Sequence, residues 1–337
     1  MLEAVIAAPG QILLHDIPRP PAPGPGEALV RVDRLSLCGS DLAIFAGRYG
    51  GPTTYPLRFG HEWSGTVIAG DRLAPGTPVT GDCSLWCGTC DNCRTDRNLC
   101  RHVEKAGITA PGFAVAARLV PERFLYPDTA GLEPDLLALA EITAVALHGL
   151  AKAPATGPAL VVGAGPLGLL LALALTDRGT ETHVIEPAAF RRRLLAEIAP
   201  AAHLLTPRKS APAAASYAAL AAEADHAVAF ECSGTGAGLN HALRLTRAGG
   251  QVVCLGLGPG GPVEVRLAVV KGLTLTGSIG GTGAFPQALA LLGRHRAAAA
   301  RLITHRHPAQ QAATAFARSL DDPARLKVQL VFPGEHR

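Results

Sequence analysis

The stretch Ala159-Leu160-Val161-Val162-Gly163-Ala164-Gly165-Pro166-Leu167-Gly168 decides how this chain folds. Four apolar residues read as a buried strand, and the apolar run that follows reads as a helix from Pro166 to Asp177. The turn between them fits G-x-G-x-x-G. Gly163 permits the tight turn, Gly165 lets the backbone approach a pyrophosphate, and Gly168 lets helix and strand pack closely. The helix N-terminus, opened by Pro166 and Leu167, offers unpaired N–H groups to phosphates. A Gly-rich turn with no ligand is the plain alternative. The context argues against it: Glu186 ends the next strand, 18 residues after Gly168, where a carboxylate accepts hydrogen bonds from ribose hydroxyls. Glu186 favours NAD over NADP, because it repels a 2′-phosphate. Arg191, Arg192 and Arg193 follow closely and read either as cofactor contacts, Arg191 first, or as a solvated helix face.

Working outward, strands and helices alternate from 158 to 278. Thr182 to Glu186 is a strand and Ala188 to Ile198 a helix. His226 to Glu231, Gln251 to Leu255 and Leu273 to Ser278 are further strands, with a helix near Gly238 to Thr246. Buried strands alternating with helices predict a doubly wound parallel sheet. The flanks differ. Residues 1–125 read as short strands broken by Pro and Gly, among them Ala28 to Leu35, Trp63 to Ala69 and Ala114 to Val120. Leu136 to Leu150 reads as one helix. The tail holds a helix near Phe285 to Leu292 and a strand, Val328 to Phe332, that is expected to return to the first domain. The expected class is α/β, with a dinucleotide domain over 144–279 inserted into a second domain formed by 1–143 and 280–337.

Size and charge agree with that organisation. At about 150 residues per domain, 337 residues suggest two domains. Charged residues are 17% and the net charge is +4, so the chain is neither disordered nor a basic nucleic-acid tail. Aromatics at 4% argue against stacking platforms for single strands. The apolar run from Leu160 to Leu175 has 16 residues, short of a membrane span. The N-terminus lacks a basic region followed by an apolar core, so a cytoplasmic location is expected.

Five of the eight cysteines lie between 83 and 100. In a cytosolic chain of this size they point to metal rather than disulfides. Cys87, Cys90, Cys93 and Cys100 offer four thiolates for the closed tetrahedral site of a structural zinc, in a lobe over 83–100. An empty or redox-active lobe is the alternative. Cys83 reads as a bystander, and Cys232 and Cys254 as small buried hydrophobes. Such lobes also occur in nucleic-acid-binding ribbons. This one is not strongly basic and precedes a nucleotide fold.

Cys38-Gly39-Ser40-Asp41 and Gly60-His61-Glu62 form a second group. A thiolate plus an imidazole suits a catalytic zinc, which needs three protein ligands and one open position. Glu141, in Leu139-Ala140-Glu141-Ile142, is the best third ligand. Taken singly, a Cys is usually packing and a His a satisfied polar residue.

Together and in this order, these motifs resemble the zinc-dependent medium-chain alcohol dehydrogenases of the polyol (sorbitol) dehydrogenase type. The resemblance runs from Val5 to Phe332 and implies a GroES-like catalytic domain and a Rossmann domain, with the active site in the cleft between them. A narrower likeness, carried by Cys38-Gly-Ser-Asp-Leu42, Tyr55-Pro56 and Gly60-His-Glu-Trp-Ser-Gly65, is to 2-deoxy-scyllo-inosamine dehydrogenases and related oxidoreductases of aminoglycoside pathways, including the gentamicin type. The resemblance implies that Cys38 and His61 bind the catalytic zinc. Glu141 completes the set or holds the zinc-bound water, and Glu62 can enter or leave the metal shell. Asp41 would accept a hydrogen bond from His61, Ser40 would accept the substrate's proton, and Lys327 would sit near the pyrophosphate. Tyr49 and Tyr55, in the loop between the motifs, are substrate-cleft candidates, or else an exposed loop. Three positions depart from the family pattern. Ala43 stands where many members carry a relay His, six residues separate Cys93 from Cys100 where seven are usual, and Ile142 rather than Pro follows Glu141. Without that His, proton exit is expected through the cofactor ribose or water.

The expected function is NAD(H)-dependent oxidation of a secondary alcohol on a cyclitol or amino sugar. A general polyol dehydrogenase is the rival enzyme, and a zinc-bound nucleotide sensor or nucleic-acid binder the rival of another class. The expected partners are a small-molecule substrate and further copies of the chain, as a homodimer or homotetramer. Neither nucleic acid nor a membrane is expected.

Overall fold

Strand Ala159–Val162 is buried along its whole length, as a central strand covered on both faces must be. The computed structural model describes residues 1–153, 157–206, 224–258 and 260–332. Contacts divide the chain into two units, Val145–Ile279 and Met1–Ala144 with Gly280–Arg337.

In the unit Val145–Ile279, the described residues form a six-stranded parallel sheet. Its spatial order is His203–Leu204, Thr182–Ile185, Ala159–Val162, His226–Glu231, Thr246–Cys254 and Thr274–Gly277. This is the 3-2-1-4-5-6 order of a Rossmann sheet, and its topological switch lies between Ala159–Val162 and His226–Glu231. Helix Pro166–Asp177 buries every residue from Gly168 to Leu175. Proline at its N-terminus costs no hydrogen bond, since that N–H has no intrahelical partner. Two glycines are dictated by geometry. Gly163 has φ +97°, and a Cβ on Gly168 would lie 1.8 Å from the Gly163 carbonyl oxygen. The strand expected from Gln251 starts earlier, at Thr246, because a bulge with Gly249 at φ +70° separates the two pairings to His226–Glu231. Cys232 and Cys254 are partly exposed rather than buried.

In the other unit, strand Glu27–Ser36 alternates buried and half-buried positions and pairs antiparallel with Glu62–Gly70, Ala117–Pro121 and Lys327–Val331. The described sheet runs Ile303–Pro308, Lys327–Val331, Glu27–Ser36, Glu62–Gly70, Pro78–Gly81, Leu125–Pro127. The C-terminal strand thus returns to the N-terminal part of the chain. Its core gathers Trp63, Phe59, Phe113, Phe124 and Phe316, with Trp63 stacked on Phe113 at 4.1 Å. The helix expected over Leu136 to Leu150 is two helices, Pro134–Leu137 and Ala140–Ala151. Among the described residues no helix is long and apolar enough to cross a membrane.

Candidate active site

Backbone register brings the two catalytic motifs together. Ser36 pairs with Glu62, so the end of one strand lies beside the start of the next. Cys38 follows the first strand and precedes helix Gly39–Phe45, while His61 directly precedes the second. Gly60 makes the approach possible: it has φ +89°, and a Cβ there would lie 2.5 Å from the Leu35 side chain. The donor atoms of Cys38, His61 and Glu62 all lie within 4.8 Å of one another.

The buried Asp41 carboxylate ties these segments together. It accepts the Cys38 N–H at 2.8 Å and the Gly60 N–H at 3.2 Å. The expected hydrogen bond from the His61 imidazole is not formed. His61 Nδ1 stands 3.8 Å from Asp41 Oδ1, an ion-pair distance too long for a hydrogen bond. Both His61 Nδ1 and Ser40 Oγ are buried without a hydrogen-bond partner. Burial disfavours the His61 cation, yet the neighbouring Asp41 and Cys38 outweigh it and lift the imidazole to about 10. Burial pushes the Asp41 and Glu141 carboxyls up. The pocket concentrates acidic and soft donors around unpartnered polar atoms, which suits a cation such as zinc.

Two residues of this centre take partners that the sequence did not indicate. Glu141, expected to complete the ligand set or to hold the zinc-bound water, is not among the three residues whose donor atoms lie within 4.8 Å of one another, whereas Glu62, expected to enter or leave the metal shell, is. Glu141 is buried at the start of helix Ala140–Ala151, and its Oε1 accepts the Cys83 thiol at 3.3 Å. Cys83 is therefore no bystander; only its place next to Asp82 and the lobe was visible in sequence. Lys327, expected near a pyrophosphate, has its ammonium bonded to both oxygens of Glu62, with both side chains enclosed. The cause is sheet order, since the last described strand lies beside Glu27–Ser36, another of whose partners begins at Glu62.

The two tyrosines separate. The Tyr55 hydroxyl donates to the Ile44 carbonyl at 2.6 Å and is therefore occupied by the fold. Half-buried Tyr49 packs against the core of this unit, and its hydroxyl pKa is raised, first by burial and then by the charges of Cys38 and Cys83. Ala43 sits in helix Gly39–Phe45 and offers no proton acceptor.

The lobe sulfurs form a compact cluster. The Cys87–Cys100 and Cys90–Cys93 separations are 3.5 Å, and Cys87–Cys93 and Cys90–Cys100 are 3.9 Å. A tetrahedral zinc with Zn–S bonds of about 2.3 Å requires S···S edges of about 3.8 Å. The residues fit the ion, and the six-residue spacing is absorbed by helix Asp91–Thr95 and a short 3-10 turn, Arg97–Leu99.

At the dinucleotide turn, the space above Gly165 is open: a Cβ there would meet nothing within 4 Å. Glu186 is buried just past strand Thr182–Ile185. Its carboxylate accepts the Ala164 N–H at 2.7 Å and the Ala188 N–H at 2.8 Å. It is thereby clamped to the turn whose glycines admit a pyrophosphate. Arg191 lies 3.8 Å from Glu186, with a buried, unpartnered Nε. Arg192 instead caps the Glu186 and Pro187 carbonyls.

This combination of a parallel dinucleotide sheet, a Cys–His–Glu cluster and a four-thiolate lobe defines a zinc-dependent oxidoreductase. Residues 24–130 match the alcohol dehydrogenase GroES-like domain, and residues 166–294 match the zinc-binding dehydrogenase family. The chain is 30% identical to D-altritol 5-dehydrogenase of Agrobacterium fabrum, over 95% of this chain and 96% of that protein. It is 29% identical to L-threonine 3-dehydrogenase of Coxiella burnetii, over 83% of this chain and 84% of that one. A zinc-binding dehydrogenase of Sinorhizobium meliloti, solved with NADP, superposes with a TM-score of 0.83 at 27% identity and covers 98% of each chain. The chain belongs to the zinc-dependent medium-chain alcohol dehydrogenase family, with a GroES-like part and a Rossmann part.

Proposed function

We propose that this alcohol dehydrogenase uses NAD(H) to oxidise a secondary alcohol of a cyclitol or amino sugar to a ketone. The observation that carries the reaction type is the Cys38–His61–Glu62 cluster beside the unpartnered Ser40 hydroxyl. Bound zinc would supply Lewis acidity toward the alcohol oxygen, and a bound nicotinamide would supply the hydride acceptor. Cys38 and His61 hold the metal, with Glu62 or Glu141 as third donor. Asp41 keeps Cys38 and Gly60 in register. Ser40 Oγ is the group placed to accept the proton of the substrate hydroxyl, and with Ala43 in the same helix the proton would leave by water or the cofactor ribose. Tyr49 contributes to the substrate wall. Gly163, Gly165 and Gly168 seat the pyrophosphate, and Glu186 accepts the ribose hydroxyls. Its charge supports NAD, whereas Arg191 beside it is the group that would favour a 2′-phosphate.

A linear polyol is the second reading, favoured by the similarity to an altritol dehydrogenase. A panel of cyclitols, aminoglycoside precursors, linear polyols and L-threonine, each with NAD and NADP, tests both. Turnover of cyclitols or amino sugars above the linear polyols is expected, and the reverse order replaces the first reading with the second. The edge strand Thr274–Gly277, with Leu275 exposed and with Val265 and Val269 exposed on the preceding helix, supports a homodimer or homotetramer. Sedimentation equilibrium tests this.

A further inference from the structure

We propose that Cys83 is a positioning residue for the metal centre, holding Glu141 as the exchangeable third donor while Glu62 stays with Lys327. The inference rests on the dehydrogenase reading above. Glu62 belongs to the Cys38–His61 cluster and the charge of Glu141 acts on His61, and the restraints on the two carboxylates differ in kind. Glu62 is engaged through both oxygens by the buried Lys327 ammonium. Charge-assisted contacts of this type are strong, and separating them leaves a buried unpaired charge. Glu141 is held through Oε1 by the Cys83 S–H, at 3.3 Å. A thiol is a weak, neutral donor, so this contact orients the carboxylate without neutralising it. With Oε1 occupied, Oε2 is the oxygen that remains for a metal. The thiol is itself fixed: Cys83 is buried, and its carbonyl accepts the Ala106 N–H at 2.9 Å. Supporting groups behind a metal ligand change affinity by about 10- to 100-fold. A weak thiol donor belongs at the lower end.

The test is metal binding by the full-length chain reloaded with cobalt(II). Chelator competition follows the Cys38–His61 site by its ligand-field bands, while the four-thiolate lobe serves as the folding control. Cys83→Ala is expected to weaken metal at the Cys38–His61 site about tenfold and to shift those bands, with the lobe unchanged. Cys83→Ser, which keeps a donor, is expected to restore both. Unchanged affinity and bands in Cys83→Ala overturn the proposal, as does an equal loss in both variants. If the unsubstituted protein fills only the lobe, the dehydrogenase reading itself falls.

Discussion

The Lys327 ammonium sits on both carboxylate oxygens of Glu62, across 265 residues of sequence, with the two side chains 2% and 0% exposed. The pair joins the last strand of the chain to the strand that begins beside His61. Burial alone would lower the Lys327 pKa, yet the charge and hydrogen bond of Glu62, with the charges of Cys38 and Glu141, together outweigh it and raise the pKa. Lys327→Met leaves Glu62 enclosed without a counter-charge. A loss of about 3–5 kcal/mol in unfolding free energy is expected, read by urea denaturation. Adding Glu62→Gln should recover much of it, because the uncompensated charge is removed.

Cys38→Ala is expected to abolish turnover with every alcohol while NADH binding, followed by fluorescence, survives. The thiol lies at the metal cluster, and the dinucleotide turn is built from Gly163 to Gly168 in the other unit. Retained turnover would remove Cys38 from the reaction centre.

Glu186→Ala should weaken NAD binding relative to NADP by about tenfold or more, the scale of a hydrogen bond to a charged acceptor. Titration calorimetry with both cofactors reads the ratio. An unchanged ratio would return cofactor choice to Arg191.

Cys90→Ser should lower the bound zinc by one equivalent and reduce the melting temperature. Four sulfurs at 3.5–3.9 Å from their neighbours form a closed site whose binding energy contributes to folding. Metal analysis and thermal unfolding check both effects.

His226 predicts acid sensitivity in the Rossmann unit. Its Nδ1 donates to the Leu245 carbonyl at 3.0 Å, and its Nε2 lies 2.8 Å from His183 Nδ1, from which the neutral His226 ring accepts. Burial, reinforced by His183 and opposed by Asp225 and Glu181, lowers its pKa from the usual 6.5. Below 6.5 the unfolded chain gains a proton at this position that the folded unit resists. Its contribution is therefore intact above 6.5 and is lost as pH falls through the lowered value. His226→Gln should flatten that part of the stability–pH curve.

Features carried by contiguous residues are legible in the sequence alone. The turn from Gly163 to Gly168, the strand–helix alternation and the lobe from Cys87 to Cys100 each occupy one short segment. Their chemistry follows from local geometry: a positive φ, a close approach, four sulfurs on one loop. Those segments suffice for the α/β class, the Rossmann half and the zinc-binding family. Which buried groups face one another is not legible in the same way. Asp41 holds backbone N–H groups rather than His61, Tyr55 is occupied by Ile44, Cys83 reaches Glu141, and Lys327 reaches Glu62. Each of these follows from strand order and register, Ser36 against Glu62 and Gln329 against Ser36 above all. A buried polar group takes the partner that packing delivers, and packing joins residues tens to hundreds of positions apart, where no local pattern records the pairing.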